Sequence, residues 1–248
     1  MKHTILGAGG SIGNALTYEL SKANENIRLV SRSNYSITGT ESFTADISSY
    51  EETLNSVQNS DVVYLCAGLA YDLNVWRELW PKIMQNAIIA RSADLYGPYA
   101  TKTSVPYILA IDNLMKGKKA QWLVDVNKSH SFSYTIDCAK ALTLLSTRDE
   151  CYNQVWHMPT YNPGIDGKTF IELAAKEFGV APKYSVLKKW MVKMVGLFNK
   201  TVNESYEMLY QSEFEYYFDS TKFNDFFNFK PTTYQEGIHE TIAFLKRK

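Results

Sequence analysis

An α/β fold is predicted, with a parallel sheet, helices on both faces and a small, mostly helical C-terminal lobe. Three observations predict it. Short apolar strands alternate with amphipathic helices through the first part of the chain. A glycine-rich turn joins the first strand to the first helix. The last third is richer in aromatic residues and lysine and carries helical spacing over most of its length. A chain of 248 residues suffices for one large domain or for a domain with a smaller lobe.

Residues 3–6 (His-Thr-Ile-Leu) read as a short buried strand. The helix after the glycine turn places Ile12, Ala15, Leu16 and Leu20 on one face. Residues 27–31 form a second strand and 42–46 a short third one. A polar helix from Ser49 to Asn59 turns Leu54 and Val57 inward. Asp61 to Cys66 is a continuous apolar strand ending at Ala67-Gly68. A helix over 73–86 directs Val75, Leu79 and Ile83 to the sheet. Trp76 and Trp80, at i and i+4, suit a core face better than a stacking platform for sugar or nicotinamide. Helices follow at 103–117 and 134–147, with a strand at 120–125 between them. A strand at 153–158 precedes helices at 168–179, 188–198, 203–211 and 233–246.

The glycine turn has the spacing Gly7-x-x-Gly10-x-x-Gly13 between a strand and a helix, near the start of the chain. Gly7 permits the tight turn, Gly10 lets a pyrophosphate approach the backbone, and Gly13 lets helix pack on strand. The phosphates then meet the N–H groups of Ser11 and Ile12 at the positive end of the helix. This pattern is the Rossmann-type dinucleotide loop. An NAD-binding chain usually carries an acid ~20 residues after the loop for the ribose 2′-hydroxyl. Here Ser31-Arg32-Ser33 stands at the end of the second strand, and a guanidinium suits a 2′-phosphate. NADP is therefore the expected cofactor, with NAD less suited. Asp46 suits either the adenine amino group or the N-cap of the next helix.

Taken together, the glycine spacing, Asp46-Ile47 and the strand end Cys66-Ala67-Gly68 resemble the extended short-chain dehydrogenase/reductases, and within them the NAD(P)-dependent epimerase/dehydratase group. Asn86, Leu95-Tyr96-Gly97-Pro98, Ser133 to Ala139, Phe218 to Lys222, Phe229-Lys230-Pro231 and a closing helix at Gly237 extend the resemblance over nearly the whole chain, in order. The resemblance implies that Ile47, Ala67 and Gly68 border the cofactor and that Tyr96 and Pro98 belong to a turn at the substrate cleft. It implies hydride transfer on a nucleotide sugar or a similar polar carbonyl or alcohol. It also implies a dinucleotide-binding domain over 1–150, a smaller substrate lobe over 151–248 partly interleaved with it, and a homodimer made through two helices, one of them 73–86.

One part of the family pattern is absent. Its acid/base is a Tyr-x-x-x-Lys pair on the helix after the fifth strand, where the lysine lowers the tyrosine's pKa. The interval between Asn86 and Leu95 holds no such pair. The chain passes there from helix to strand without Gly or Pro, as though a unit of ~30 residues or more were missing. No catalytic residue is assigned. Tyr99 and Lys102 are three apart across a Gly97-Pro98 turn and fit a substrate loop better. In a shorter but complete fold, residues 88–93 would pair beside the fourth strand. A catalytically silent NADP(H)-binding regulator is the alternative to an enzyme.

The remaining features exclude other classes. Zero formal net charge gives no footprint for nucleic acid or an anionic membrane. The cluster at Lys116 to Lys119 reads as a solvated turn. Cys66, Cys138 and Cys151 show no metal spacing and read as buried thiols in a reducing compartment. His157 reads as a core histidine without a metal. Asp94 and Asp137 are not spaced as a carboxylate pair, and loop or helix-start roles suit them. No signal peptide and no apolar run of ~18 residues is evident, so the cytoplasm is expected. The basic amphipathic run Lys188 to Phe198 suits packing in the small lobe or a dimer face better than a membrane surface.

Overall fold

The computed structural model describes residues 1–66, 89–100, 104–151 and 154–247. The chain forms two compact units. One is Met1–Ala90 with Cys138–Val155, and the other is Arg91–Asp137 with Trp156–Lys248. The predicted α/β fold with a parallel sheet is present. The expected helix at 73–86, with Trp76 and Trp80, lies outside the described residues.

In the first unit the order is β1 (Lys2–Leu6), α1 (Ser11–Lys22), β2 (Asn26–Ser31), β3 (Glu41–Thr44), α2 (Tyr50–Val57) and β4 (Val62–Leu65). The four strands form one parallel sheet in the order β3-β2-β1-β4. Ile5 sits at its centre, in register with Leu29 on one side and Tyr64 on the other. Ala15, Leu16 and Leu20 of α1 are buried, as the helical spacing requires. Toward one end of the sheet, Leu6, Val30 and Ala45 form a buried cluster with Phe43, Ile47, Val57 and Leu65 packed against it.

Two features of this unit depart from expectation. Leu54 is exposed, and Ser56 takes the buried place on α2. The cause is Arg28, an arginine buried in the middle of β2. Its Nε donates to Glu41 at 2.9 Å, and its Nη1 donates to the carbonyls of Ser56 at 2.8 Å and Gln58 at 2.9 Å. A buried guanidinium must be fully hydrogen-bonded. The carbonyls at the end of α2 therefore fix how that helix is turned. Lys2 completes the group with an ion pair to Glu41 at 2.9 Å.

β5 (Ile89–Arg91) leads into the second unit. There the order is β6 (Asp94–Tyr96), a π-helical turn (Tyr107–Ile111) running into α3 (Asp112–Met115), β7 (Ala120–Leu123), β8 (Ser129–His130) and β9 (Phe132–Tyr134). α4 (Thr135–Leu145) runs back into the first unit. β10 (Val155–His157), β11 (Ile165–Asp166), α5 (Gly167–Phe178), β12 (Tyr184–Leu187), α6 (Lys189–Gly196), α7 (Lys200–Ser205), α8 (Thr221–Phe227) and α9 (Tyr234–Leu245) follow. β6 pairs with β9 and β7 with β12, both parallel, while β8 and β11 are antiparallel. β5 pairs with β10, not with β4 as residues 88–93 would in a sheet closed early. The Met158 N–H donates to the Arg91 carbonyl at 2.7 Å and fixes that alternative pairing.

The core of the second unit is aromatic. Tyr96 packs on Tyr134, Tyr234 and Phe170 with ring centroids 5.4, 5.7 and 6.1 Å apart. Trp122 and Phe132 join through Phe170. Such pairs add ~0.5–1.5 kcal/mol each beyond area burial. Glycines make room for the rings: a Cβ on Gly237 of α9 would overlap the Tyr96 hydroxyl, and one on Gly167 would overlap Trp122. Asp137, buried at the start of α4, accepts from the Thr232 N–H at 2.7 Å and the Thr232 hydroxyl at 2.9 Å. It ties that helix to the turn before α9, in keeping with the helix-start role expected of it.

Two measurements test this packing. In a helix interior Gly→Ala normally gains ~1 kcal/mol from propensity. Gly237→Ala is expected instead to destabilise by roughly 1–3 kcal/mol in urea unfolding, because the methyl must displace a fully buried ring. The second test is pH. Its hydrogen bond from Lys2, with help from Arg28, holds the Glu41 carboxyl below its ordinary value against partial burial. A depressed carboxylate stabilises the fold above its ordinary pKa and loses that contribution as pH falls through the depressed value. The stability difference between wild type and Glu41→Gln should therefore be full near neutrality and shrink as pH drops below about 4.

Candidate dinucleotide site

Because the four strands of the first unit are parallel, their carboxyl ends lie along one edge. Gly7 follows β1 there, Arg32 follows β2, Asp46 comes two residues after β3, and Cys66 follows β4. Ligands of open α/β sheets bind outside such an edge.

Gly7 has φ +83°, a left-handed conformation that favours glycine. The N–H groups of Gly7 and Ala8 both donate to the Val30 carbonyl, at 2.9 and 3.2 Å, which folds the turn against the end of β2. Gly10 is the N-cap of α1, extended at φ −79°, and no side chain caps the helix. The first intrahelical bond runs from Asn14 N–H to the Gly10 carbonyl at 2.9 Å. The N–H groups of the first turn, at Ser11, Ile12 and Gly13, precede that bond and lie at the positive end of the helix. Gly13 is buried, and a Cβ there would stand 2.7 Å from the Ala8 carbonyl oxygen and 2.8 Å from that of Gly7. Gly10 is exposed and different. Among the described residues, the atoms nearest to a Cβ there are the Gly7 carbonyl oxygen at 3.4 Å and the Cys66 carbonyl oxygen at 3.5 Å. Protein packing demands glycine at position 13 and the turn demands it at position 7, whereas neither demands it at position 10.

Arg32 is exposed. The Asp46 carboxyl lies well within the ionised range: the Ser48 N–H, at 3.0 Å, and the Ser48 hydroxyl, at 2.8 Å, hold it low, and Arg32 nearby adds a smaller pull. Asp46 does not cap α2. Ser49 does, accepting from the Glu52 N–H at 3.4 Å, while Glu52 accepts from the Asp46 N–H at 2.8 Å. Ile47 packs against the apolar cluster of Leu6, Val30 and Ala45, and its carbonyl accepts from the Thr53 hydroxyl at 3.1 Å. Ser11 and Ile12 are half-buried in the first turn of α1. Ala67 and Gly68 lie outside the described residues.

Tyr35 escaped the sequence reading. Its hydroxyl donates to Asn14 Oδ1, Asn14 Nδ2 donates to the Gly9 carbonyl at 3.2 Å, and its ring lies beside Gly9. The segment after β2 is thereby tied to the glycine loop. The only signal for this was a tyrosine three residues beyond Arg32.

Burial pushes the Cys66 thiol up to about 12, so it stays protonated and unreactive at neutral pH. Cys138 and Cys151 are buried. Among the described residues no group of His, Cys, Asp or Glu is arranged to hold a metal, and no helix is long and apolar enough to cross a membrane. His157 is half-buried, with Nδ1 hydrogen-bonded to the Asp219 carbonyl at 2.6 Å.

The second unit holds the other expected residues. Tyr96 is fully buried in the aromatic core and Pro98 is buried in the turn after it, where its carbonyl accepts from the Thr135 hydroxyl at 2.7 Å. Within the described residues the spacing Tyr-x-x-x-Lys occurs at Tyr18–Lys22 and Tyr184–Lys188. Tyr18 and Lys22 lie at the end of α1 remote from the loop, with the ammonium 4.1 Å from the ring centroid. Tyr184 opens β12, and an extended strand at ~3.3 Å per residue separates it from Lys188. Neither has the helical geometry at the sheet edge that an acid/base pair needs.

No family model matches the sequence, and no curated protein matches it. Solved structures do match in fold over the whole chain. A dTDP-glucose 4,6-dehydratase of Bacillus anthracis, in complex with NAD, superposes with a TM-score of 0.74 at 12% identity, covering 100% of this chain and 97% of that one. A UDP-glucuronic acid 4-epimerase of Bacillus cereus, in complex with NAD, gives 0.71 at 12%, covering 100% and 97%. A UDP-glucose 4-epimerase of Thermus thermophilus, in complex with NAD, gives 0.71 at 14%, covering 99% of each. The chain has the Rossmann-type fold of these enzymes.

Two glycine substitutions separate packing from accessibility. Gly13→Ala should destabilise the chain by roughly 2 kcal/mol or more, because the clash is with backbone and no side chain can yield. Gly10→Ala should stay within about 1 kcal/mol of wild type. Parallel urea titrations check both.

Proposed function

We propose that this chain is an extended short-chain dehydrogenase/reductase of the epimerase/dehydratase type, which binds a nicotinamide dinucleotide and acts on a nucleotide-linked sugar or a similar polar carbonyl or alcohol. The observation that carries the reading is Gly10, an exposed glycine at the N-terminus of α1 that packing among the described residues does not require. A pyrophosphate suits that place: among the described residues only backbone atoms come within 4 Å of a Cβ at Gly10, and the first-turn N–H groups and helix dipole favour negative charge. The NAD bound in the matching dehydratase and epimerases supports a nicotinamide cofactor. When bound, that group supplies hydride exchange with a substrate carbon.

The chain's own residues then divide the work. Ser11, Ile12 and Gly13 would hold the pyrophosphate through backbone N–H groups, with Gly7 shaping the turn. Arg32 would face the adenosine ribose, where its charge favours a 2′-phosphate, so NADP(H) is the form we assign. Asp46 and the backbone of Ile47, with Ala67 and Gly68, would border the adenine and ribose. Tyr96 and Pro98, being buried, would act on substrate through the turn they hold. The absence of a helical Tyr-x-x-x-Lys pair at the sheet edge, among the described residues, favours a second reading: a dinucleotide-binding protein without turnover, free or in a homodimer.

Titration of the purified chain with NADPH and NADH, followed by tryptophan fluorescence, tests the assignment. NADPH should bind more tightly. Arg32→Ala should weaken NADPH by about tenfold or more and NADH by much less. Gly10→Ala should weaken both. Equal affinities would overturn the NADP(H) assignment, and no saturable binding would overturn both readings. Binding without turnover of UDP-glucose or dTDP-glucose would select the second.

A further inference from the structure

The run expected to pack within the small lobe does not bury its apolar side. α6 follows directly from β12, which is held by its parallel pairing with β7. Gly196 seats the end of α6 on α7, where a Cβ would stand 3.2 Å from the Asn203 backbone. Met191 and Val192 are half-buried. The opposite side is open: Trp190 is 68% exposed, Leu197 68% and Phe198 91%, with Met194 and Val195 exposed as well. Trp190 and Met194 stand one turn apart on α6, and the exposed Leu197 and Phe198 prolong this apolar stripe in the turn beyond Gly196. A contiguous apolar stripe of this kind marks an interaction surface.

Charge identifies what the stripe meets. Residues 181–200 contain Lys183, Lys188, Lys189, Lys193 and Lys200 and no acid. Helical spacing places Lys189 and Lys193 along one edge of the stripe. Glu213 reaches this edge and is paired with Lys189 at 2.5 Å. A two-fold contact with a second copy would set these lysine rows against each other, with no carboxylate in the stretch to answer them. An anionic lipid surface answers them directly, and the aromatic and aliphatic side chains suit the boundary between headgroups and acyl chains.

We propose that α6 and the turn after it dock on an anionic phospholipid surface, with Trp190, Leu197 and Phe198 entering the interface and the lysines meeting lipid phosphates.

The test uses the full chain and two kinds of vesicle, pure phosphatidylcholine and phosphatidylcholine with about one-third phosphatidylglycerol. Cosedimentation is expected with the anionic vesicles, weakening as salt is raised. The blue shift of tryptophan fluorescence on binding should disappear in Trp190→Phe. The double substitution Leu197→Asp with Phe198→Asp should lower binding by about tenfold or more. Both sites are exposed, and unchanged circular dichroism and urea unfolding would show that the variant is folded. No binding to anionic vesicles would overturn the proposal, as would equal binding to neutral ones or undiminished binding by a folded double variant. A dimer in light scattering that the double variant dissolves, without vesicle binding, would assign the stripe to a second copy instead.

Discussion

At the glycine turn α1 comes so close to the end of β1 that a Cβ on Gly13 would stand 2.7 Å from the Ala8 carbonyl and 2.8 Å from that of Gly7. One added methyl group there would push the helix away from the sheet. The direction of α1 follows from that approach, and with it the direction in which the first-turn N–H groups point. The left-handed turn at Gly7 and the shared acceptor at Val30 hold the other side of the loop. The part of the candidate site that would meet phosphate is thus a by-product of backbone packing, while Arg32 and Asp46 add side chains beside it. The second unit uses glycine in the same way for another end, since Gly167 and Gly237 admit Trp122 and Tyr96 into an aromatic core.

The parts of the fold legible in the sequence are those governed by local periodicity. β1, the glycine turn, α1 and β2 emerge from spacing alone, because a buried strand and an amphipathic helix each leave a regular trace. Arg28 does not, since an arginine in an apolar strand gives no sign of being buried among carbonyls 28 and 30 residues away. Neither does Tyr35, whose partner Asn14 lies 21 residues upstream. Tyr96 shows a different limit. Its motif placed it in a turn at a cleft, yet an aromatic that lines a cleft and one that fills a core read alike in sequence. α6 errs the other way, because amphipathic spacing reveals an apolar face and says nothing of what covers it. Two-residue strands such as β8 and β11 are too short to leave any period.

Binding and chemistry separate along the chain. The loop, Arg32 and Asp46 belong to one compact unit and are positioned by its four-stranded sheet. The Tyr-x-x-x-Lys spacings that the described residues do contain are placed where their geometry serves no proton transfer. Cys66, the thiol next to the loop, is kept protonated by burial. Among the described residues, those that would hold a dinucleotide are thus gathered in one unit, with no helical Tyr-x-x-x-Lys pair beside them at the sheet edge.

The link from Tyr35 through Asn14 to Gly9 has a consequence for exchanging parts between related chains. Exchanging the segment after β2 for that of a related chain, to alter cofactor preference, presumes a self-contained cassette. Here that segment is bonded to a side chain on α1. A transplant that replaced residues 32–40 and kept Asn14 would leave the asparagine facing a stranger, and the glycine loop would lose its brace. The modular unit in this chain is discontinuous, and includes position 14.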